Sequence, residues 1–310
     1  MRDIKKAKGV LVLGTSETGN ELNGLNYWGL LNLDKTVKPY FSVLGGAGRD
    51  YTVYFPIILK NPDLFKDLQI LVYINPTYWR ESLCNFDNHY FTRYVGLQLA
   101  ANSKEIFKDK NIYEEFLKPA RYGLVTIDSL SYSFNDKLMN AIDDFKSYFY
   151  YDLNRLINDN EKISGKRRIF DSMTVQQIDS LKNGINLEYN ALESFLASNT
   201  PFPAIHQDCT FRYDGLYEFI NLCIDYEINA TFYLGPYNEV YGRRKNPERL
   251  DAYKEVMNNI KLIINSSNMP LIDGSYISQV PGTFLDVQHI SQYGAFLSAQ
   301  QIKEHYETAN

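Results

Sequence analysis

Apolar residues in this chain fall into two patterns: short unbroken runs that stop at glycine or an Asn-Pro step, and longer stretches with the three-to-four spacing of a helix. The first short run is Gly9-Val10-Leu11-Val12-Leu13-Gly14. It lacks the apolar/polar alternation of a half-exposed strand, so it reads as a strand buried on both faces of a parallel sheet. Phe41-Ser42-Val43-Leu44, Leu68 to Ile74, Ile228 to Leu234 and Met269 to Asp273 have the same character. From Asn246 to Ser267, Pro247 stands at a favoured first helical position and Tyr253, Val256, Met257, Ile260 and Ile263 recur at helical spacing, which predicts a helix covering one sheet face. The segment from Arg80 to Pro203 is dense in Tyr, Phe, Asn, Lys and Asp, with few Gly or Pro, and reads as a helical insertion. Within it, Leu138, Met139, Ile142, Phe145, Phe149, Leu153 and Leu156 share one helix face, which suits a cap packed on the sheet or a partner-binding helix. There is no internal repeat and no low-complexity linker. The expectation is a single domain over residues 1–310, α/β in class, with a helical insertion at about 80–203.

Composition narrows the functional classes. With 310 residues, 45% of them hydrophobic, the chain can bury a sizeable core. A formal net charge of −5 gives no electrostatic footprint for nucleic acid. Cys84, Cys209 and Cys223 have no C-x-x-C spacing, and an odd number cannot complete a disulfide set. His89, His206, His289 and His305 include no short-range ligand pair, so neither a metal nor another cofactor is expected. No run of 18 apolar residues occurs and Met1 to Lys6 leads into the first strand without a signal-peptide core, which leaves a cytoplasmic protein or a portion that follows a removed anchor.

Four short segments carry candidate chemistry. Ser16 lies two residues beyond the glycine that ends the first strand, where ligands of open α/β sheets bind and where free backbone N–H groups can meet an oxyanion. That is a place for an acyl-transfer serine, although serine there is also an ordinary helix N-cap. Asp286 and His289 are three residues apart, so one turn can supply a histidine base and the carboxylate that fixes its tautomer; an Asp cap beside a surface histidine is the plain alternative. Gly45-Gly46-Ala47-Gly48 follows the Phe41 run, and glycines let backbone amides approach a developing negative charge, though alone they make only a turn. Asn75, in Tyr73-Ile74-Asn75-Pro76-Thr77-Tyr78-Trp79, ends a strand and either donates to an oxyanion or closes an Asn-Pro turn.

Taken in chain order, strand then Ser, strand then Gly loop, strand then Asn, and a late Asp-x-x-His, the sequence resembles the SGNH (GDSL-like) hydrolase superfamily. Within it, the chain is most similar to the D-alanine transfer proteins of teichoic acid biosynthesis. The likeness rests on Gly14-Thr15-Ser16-Glu17, the Gly45 to Gly48 turn, the Asn75 to Trp79 segment, the Gly235-Pro236-Tyr237-Asn238 turn, and Asp286-x-x-His289 with Gly294 after it. Thr15 stands where a second serine is common in that family, and Asn75 matches the wider superfamily's asparagine more closely than the teichoic branch does.

The resemblance implies a flavodoxin-like three-layer α/β/α SGNH fold with a central, mostly parallel sheet. It implies Ser16, Asp286 and His289 as catalytic triad and Ser16, Gly46 and Asn75 as oxyanion donors. The implied activity is O-acyl transfer, acetyl or D-alanyl, to an envelope or exported polysaccharide or teichoic acid; a carbohydrate esterase, or a catalytically weak scaffold of a membrane acyl-transfer complex, are the alternatives. The partners are then an acyl donor, a glycan or teichoic acid acceptor and a membrane-bound acyltransferase. The location is extracytoplasmic, with an N-terminal membrane anchor outside the present chain. Tyr78, Trp79, Tyr237 and Tyr241 follow strand ends and are the candidates for acceptor contacts. Arg49, Arg243 and Arg244 could meet phosphate or carboxylate, a solvated basic turn being the plainer reading of the last two.

Overall fold

The computed structural model describes residues 9–19, 31, 40–45, 50–60, 62–80, 84, 200–284 and 286–308. All of them belong to one compact unit, Met1–Asn85 with Met173–Asn310. The rest of the chain, including most of the helical insertion expected at about 80–203, lies outside the described residues.

Five strands form the sheet: β1 (Val10–Gly14), β2 (Phe41–Gly45), β3 (Gln69–Ile74), β4 (Asn229–Leu234) and β5 (Leu271–Asp273). Each corresponds to one of the short apolar runs. All pairings are parallel and the order is β2-β1-β3-β4-β5, the flavodoxin-like doubly wound arrangement.

The apolar runs do not alternate because both faces of the sheet are covered. On one face, Phe232 of β4 meets Phe219 of helix α3 (Thr210–Asp225) edge-on at 6.3 Å, and Phe219 meets Tyr51 of α2 (Tyr51–Lys60) at 6.2 Å. The α5 helix (Leu250–Ser266) packs beside α3 on β4 and β5. Its buried face is Leu250, Tyr253, Val256, Met257, Ile260 and Ile264. The expected helix is thus present, but Ile264, four residues after Ile260, takes the core position assigned to Ile263. On the other face, Tyr233 donates to Ser298 Oγ at 2.9 Å, and Phe41 meets Tyr306 edge-on at 5.5 Å, both partners lying on α6 (Gln292–Thr308). Neighbouring residues of β4 therefore serve opposite layers, as the twofold period of a strand dictates. Each aliphatic or phenylalanine side chain so enclosed stabilises the fold by about 1.5–3 kcal/mol. Among the described residues, no helix is long and apolar enough to cross a membrane.

Cys84 and Cys209 form a disulfide across 125 residues of sequence, while Cys223 stays a buried free thiol whose pKa burial pushes up to about 12. The odd count thus resolves into one bridge and one core cysteine. The bridge ties the segment after β3 to the start of α3, so the long excursion between them begins and ends at one place. Closing a loop of that length restricts the unfolded chain by up to about 5 kcal/mol in the chain-entropy picture. Cys84→Ser should lower thermal stability by a large part of that amount, about 2–5 kcal/mol, read from denaturation curves with and without reductant. Reductant should destabilise the parent chain and leave the variant unmoved.

Candidate active site

The strand order reverses at β1, with β2 on one side and β3 on the other, and ligands of such sheets bind beyond the carboxyl ends of the strands at this switch point. Gly14-Thr15-Ser16-Glu17 leaves β1 there and Asn75 leaves β3. The sharp exit from β1 needs glycine: a Cβ on Gly14 would lie 2.4 Å from Thr18 Cγ2 and 3.0 Å from Tyr73 Cβ. A one-turn helix, α1 (Ser16–Gly19), follows at once. Thr15 precedes it in the cap position, its carbonyl accepting from the Thr18 amide at 3.1 Å and from Thr18 Oγ1 at 2.7 Å. Ser16 is therefore the first helical residue rather than the cap that its residue type alone allowed. The Ser16 side chain and Gly46 lie outside the described residues; β2 ends one residue earlier, with Gly45 in register beside Gly14.

Glu17 and Asn75 bridge the switch point. Both are buried, and Asn75 Nδ2 donates to Glu17 Oε1 at 2.7 Å, while the Thr15 hydroxyl donates to Glu17 Oε2. Asn75 Oδ1 accepts from the Thr77 amide at 2.9 Å and from Thr77 Oγ1 at 2.7 Å, capping the short 3₁₀ turn Pro76–Trp79. The turn reading of Asn75 is thus present in the structure. Its oxygen holds the turn, and its amide donates to the Glu17 carboxylate on α1, which follows β1.

The histidine loop is held on three sides. Asp286 Oδ1 accepts from the backbone amides of Gln288 (2.8 Å) and His289 (2.7 Å), leaving Oδ2 to meet His289 Nδ1 at 2.7 Å. That contact places the ring proton on Nδ1 and leaves the Nε2 lone pair for a base. Asn238, in the turn after β4, donates from Nδ2 to the Asp286 carbonyl at 2.8 Å and accepts the Tyr241 amide at 3.0 Å, capping α4 (Glu239–Lys245). Behind the loop, Phe284 and Ile290 pair as an antiparallel bridge, and Ser291 caps α6 by accepting the Gly294 amide at 3.2 Å. Gly294 is required there, since a Cβ would sit 2.2 Å from the Thr283 carbonyl oxygen.

Electrostatics link the two halves. The hydrogen bond that His289 Nδ1 donates to Asp286 raises the pKa of His289 above 6.5 against the opposing effect of partial burial, and the charges of Asp286 and then Glu17 add to the rise. Glu17, the residue after Ser16, therefore lies within electrostatic reach of the imidazole. For Asp286, burial pushes the pKa up, but the bonds from the His289 ring and from the two amides outweigh it, and the carboxyl is held below 3.8. Among the described residues, no group of three or more His, Cys, Asp or Glu is arranged to hold a metal ion.

The four aromatic candidates for acceptor contacts are all buried. Tyr78 has the Arg212 guanidinium at 5.7 Å from its ring centre. Trp79 packs on Tyr213 at 5.4 Å, Tyr237 stacks on Tyr253 at 4.6 Å, and Tyr241 is bonded through its hydroxyl to the Thr200 carbonyl at 2.5 Å. Their rings are used for packing and present no open stacking face. Arg243 is paired with Glu239 at 2.6 Å, and Arg49 lies outside the described residues. Reading the sequence singled out neither Glu17 as a partner of Asn75 nor Asn238 as the tether of Asp286. The available signal was the acidic residue directly after the serine and the Asn after the Gly-Pro turn.

Comparison of the chain with protein-family models and with curated proteins finds no match.

Proposed function

We propose that this protein is a serine-dependent O-acyltransferase that modifies an envelope or exported polysaccharide or teichoic acid through an acyl-serine intermediate. The observation that carries the reading is the Asp286–His289 pair, bonded at 2.7 Å, together with the 2.7 Å bond by which Asn75 anchors Glu17, the neighbour of Ser16. In the first half-reaction His289 Nε2 takes the Ser16 hydroxyl proton while the oxygen attacks the acyl carbon of a donor. The tetrahedral oxyanion is held by the Ser16 amide, an amide of the Gly46 turn and Asn75 Nδ2. Collapse expels the donor's leaving group, which receives the proton from the imidazolium. In the second half-reaction Nε2 removes a proton from an acceptor hydroxyl, which attacks the acyl-serine and releases Ser16 with its proton restored. Neither step calls for a metal or another cofactor.

The Cys84–Cys209 disulfide suits an oxidising, extracytoplasmic setting, where a membrane-bound acyltransferase would supply the acyl donor. The test is incubation with a labelled acyl donor and purified envelope polymer. Label ester-linked to the polymer supports transfer; label released only as free acid makes the protein an esterase with the same triad. An inert wild-type protein that also takes no adduct from a fluorophosphonate would sink both readings and leave a scaffold.

A further inference from the structure

We propose that Arg80 recognises an anionic group, phosphate or carboxylate, carried by the acyl acceptor; this rests on the acyl-transfer reading above. Arg80 directly follows the 3₁₀ turn that Asn75 caps, so its backbone is anchored to the carboxyl end of β3. Its Nη2 donates to Gln288 Oε1 at 3.3 Å, and Gln288 is the residue before His289. The guanidinium therefore stands on the histidine side of the cleft. The other side, built from Ser16, Glu17 and Asn75, is where the acyl carbonyl is held. The acceptor hydroxyl must come within hydrogen-bond reach of His289 Nε2, so a charge borne by the acceptor meets this flank first.

The electrostatic state of Arg80 differs from that of other arginines around it. Arg212 is paired with Asp50, Arg243 with Glu239 at 2.6 Å and Arg249 with Glu248 at 3.8 Å. Arg80 is partly buried, yet among the described residues it has no carboxylate partner; the neutral amide of Gln288 accepts from it and the ring of Tyr78 lies at 6.0 Å. Its Nε is buried with no acceptor among the described residues. A guanidinium keeps its charge at every physiological pH, so neutralisation cannot relieve this partial desolvation. One weak, long hydrogen bond and a ring at the outer limit of a cation–π contact offset little of it. An oxyanion placed on the guanidinium would offset it through charge-assisted bonds in the planar fork geometry that phosphate and carboxylate share. Rotation of the Gln288 amide, whose bond is already long, would open the Nε–Nη2 edge to the same ligand.

The test compares wild type with Arg80→Ala and Arg80→Lys using three small acceptors, glycerol, glycerate and glycerol 1-phosphate, with a neutral activated acetyl ester as donor. Direct binding of the three is measured alongside by calorimetry. Wild type should prefer the charged acceptors. Arg80→Ala should lower kcat/KM for them relative to glycerol by about tenfold or more, mostly through KM, the loss expected for one charge-assisted hydrogen bond. Arg80→Lys should restore part of the preference. Whichever of glycerate or glycerol 1-phosphate loses more identifies the anion. An unchanged preference in Arg80→Ala, equal loss for glycerol and the charged acceptors, or no preference in wild type would each overturn the assignment. The calorimetric arm is independent of turnover: charge-selective binding that vanishes in Arg80→Ala sustains the anion site even where a missing fluorophosphonate adduct on wild type refutes the serine mechanism.

Discussion

Ser16→Ala and His289→Ala should each reduce turnover, and the rate of fluorophosphonate labelling, by about 10⁴- to 10⁶-fold, and the double replacement should be scarcely worse than either alone. The reason is that nucleophile and base act as one unit: a serine hydroxyl is a poor nucleophile until a neutral imidazole removes its proton. Asp286→Asn should cost less than either but still a large factor, because Asp286 both orients the ring through Nδ1 and stabilises the imidazolium. The pH dependence gives a second readout. His289 must be neutral to act as base and its pKa is raised, so activity should rise with pH through a midpoint above 6.5. Asp286→Asn should move that midpoint down, and Glu17→Gln should move it down by less, in keeping with their order of influence on the ring. The sign for stability is opposite. A raised histidine pKa favours the fold fully only below the unfolded value, and the contribution is lost as pH rises through the folded pKa. The loop is thus held most tightly where the base is protonated and idle. A labelling rate that ignores both Ser16→Ala and His289→Ala would remove the mechanism.

Arg212→Met should destabilise the protein by about 3–5 kcal/mol, the usual result of removing one partner from a buried ion pair. The side chains of Arg212 and Asp50 are only 3% and 6% exposed, and their charges face each other in direct contact. Burial alone would lower the arginine pKa, but the adjacent Asp50 overrides it and the pKa is raised. Asp50 also caps α2 by accepting the Thr52 amide at 2.9 Å, and the Tyr51 hydroxyl reaches back to the Arg212 carbonyl at 2.7 Å. Without the guanidinium, a carboxylate would be left uncompensated in the core. The change should appear as a lower urea midpoint with little change in slope. Arg212→Met combined with Asp50→Asn should recover much of the loss, since the unpaired charge and not the missing contact carries the cost. A fall below about 1 kcal/mol in the single variant would mean that the pair is not buried in solution.

Much of this architecture was legible in advance because strand and helix are written locally. A run such as Val10 to Leu13, short, unbroken and ended by glycine, suits a strand covered on both faces, and Pro247 opens a 3₁₀ turn, Pro247–Arg249, that leads straight into α5. The Asp286–His289 pair was legible for the same reason: three residues of separation bring the groups together on one turn.

Other features depended on partners far away in the chain. Asp50 and Arg212 are 162 residues apart, Cys84 and Cys209 125, Glu17 and Asn75 58, and Asn238 and Asp286 48. The aromatic residues after the strands were candidates for an exposed surface until packing put Tyr78, Trp79, Tyr237 and Tyr241 inside. By itself, the sequence determined the five strand segments, the helix that became α5, and which short-range pair could serve as base and orienter, because sterics, periodicity and hydrogen bonding within a few residues settle those matters. Only the tertiary structure decided the order of the strands, the choice of two cysteines among three, and the carboxylates that answer the Arg212 guanidinium and the Asn75 amide. Those choices turn on which distant surfaces exclude water together, and no local stretch of chain records that.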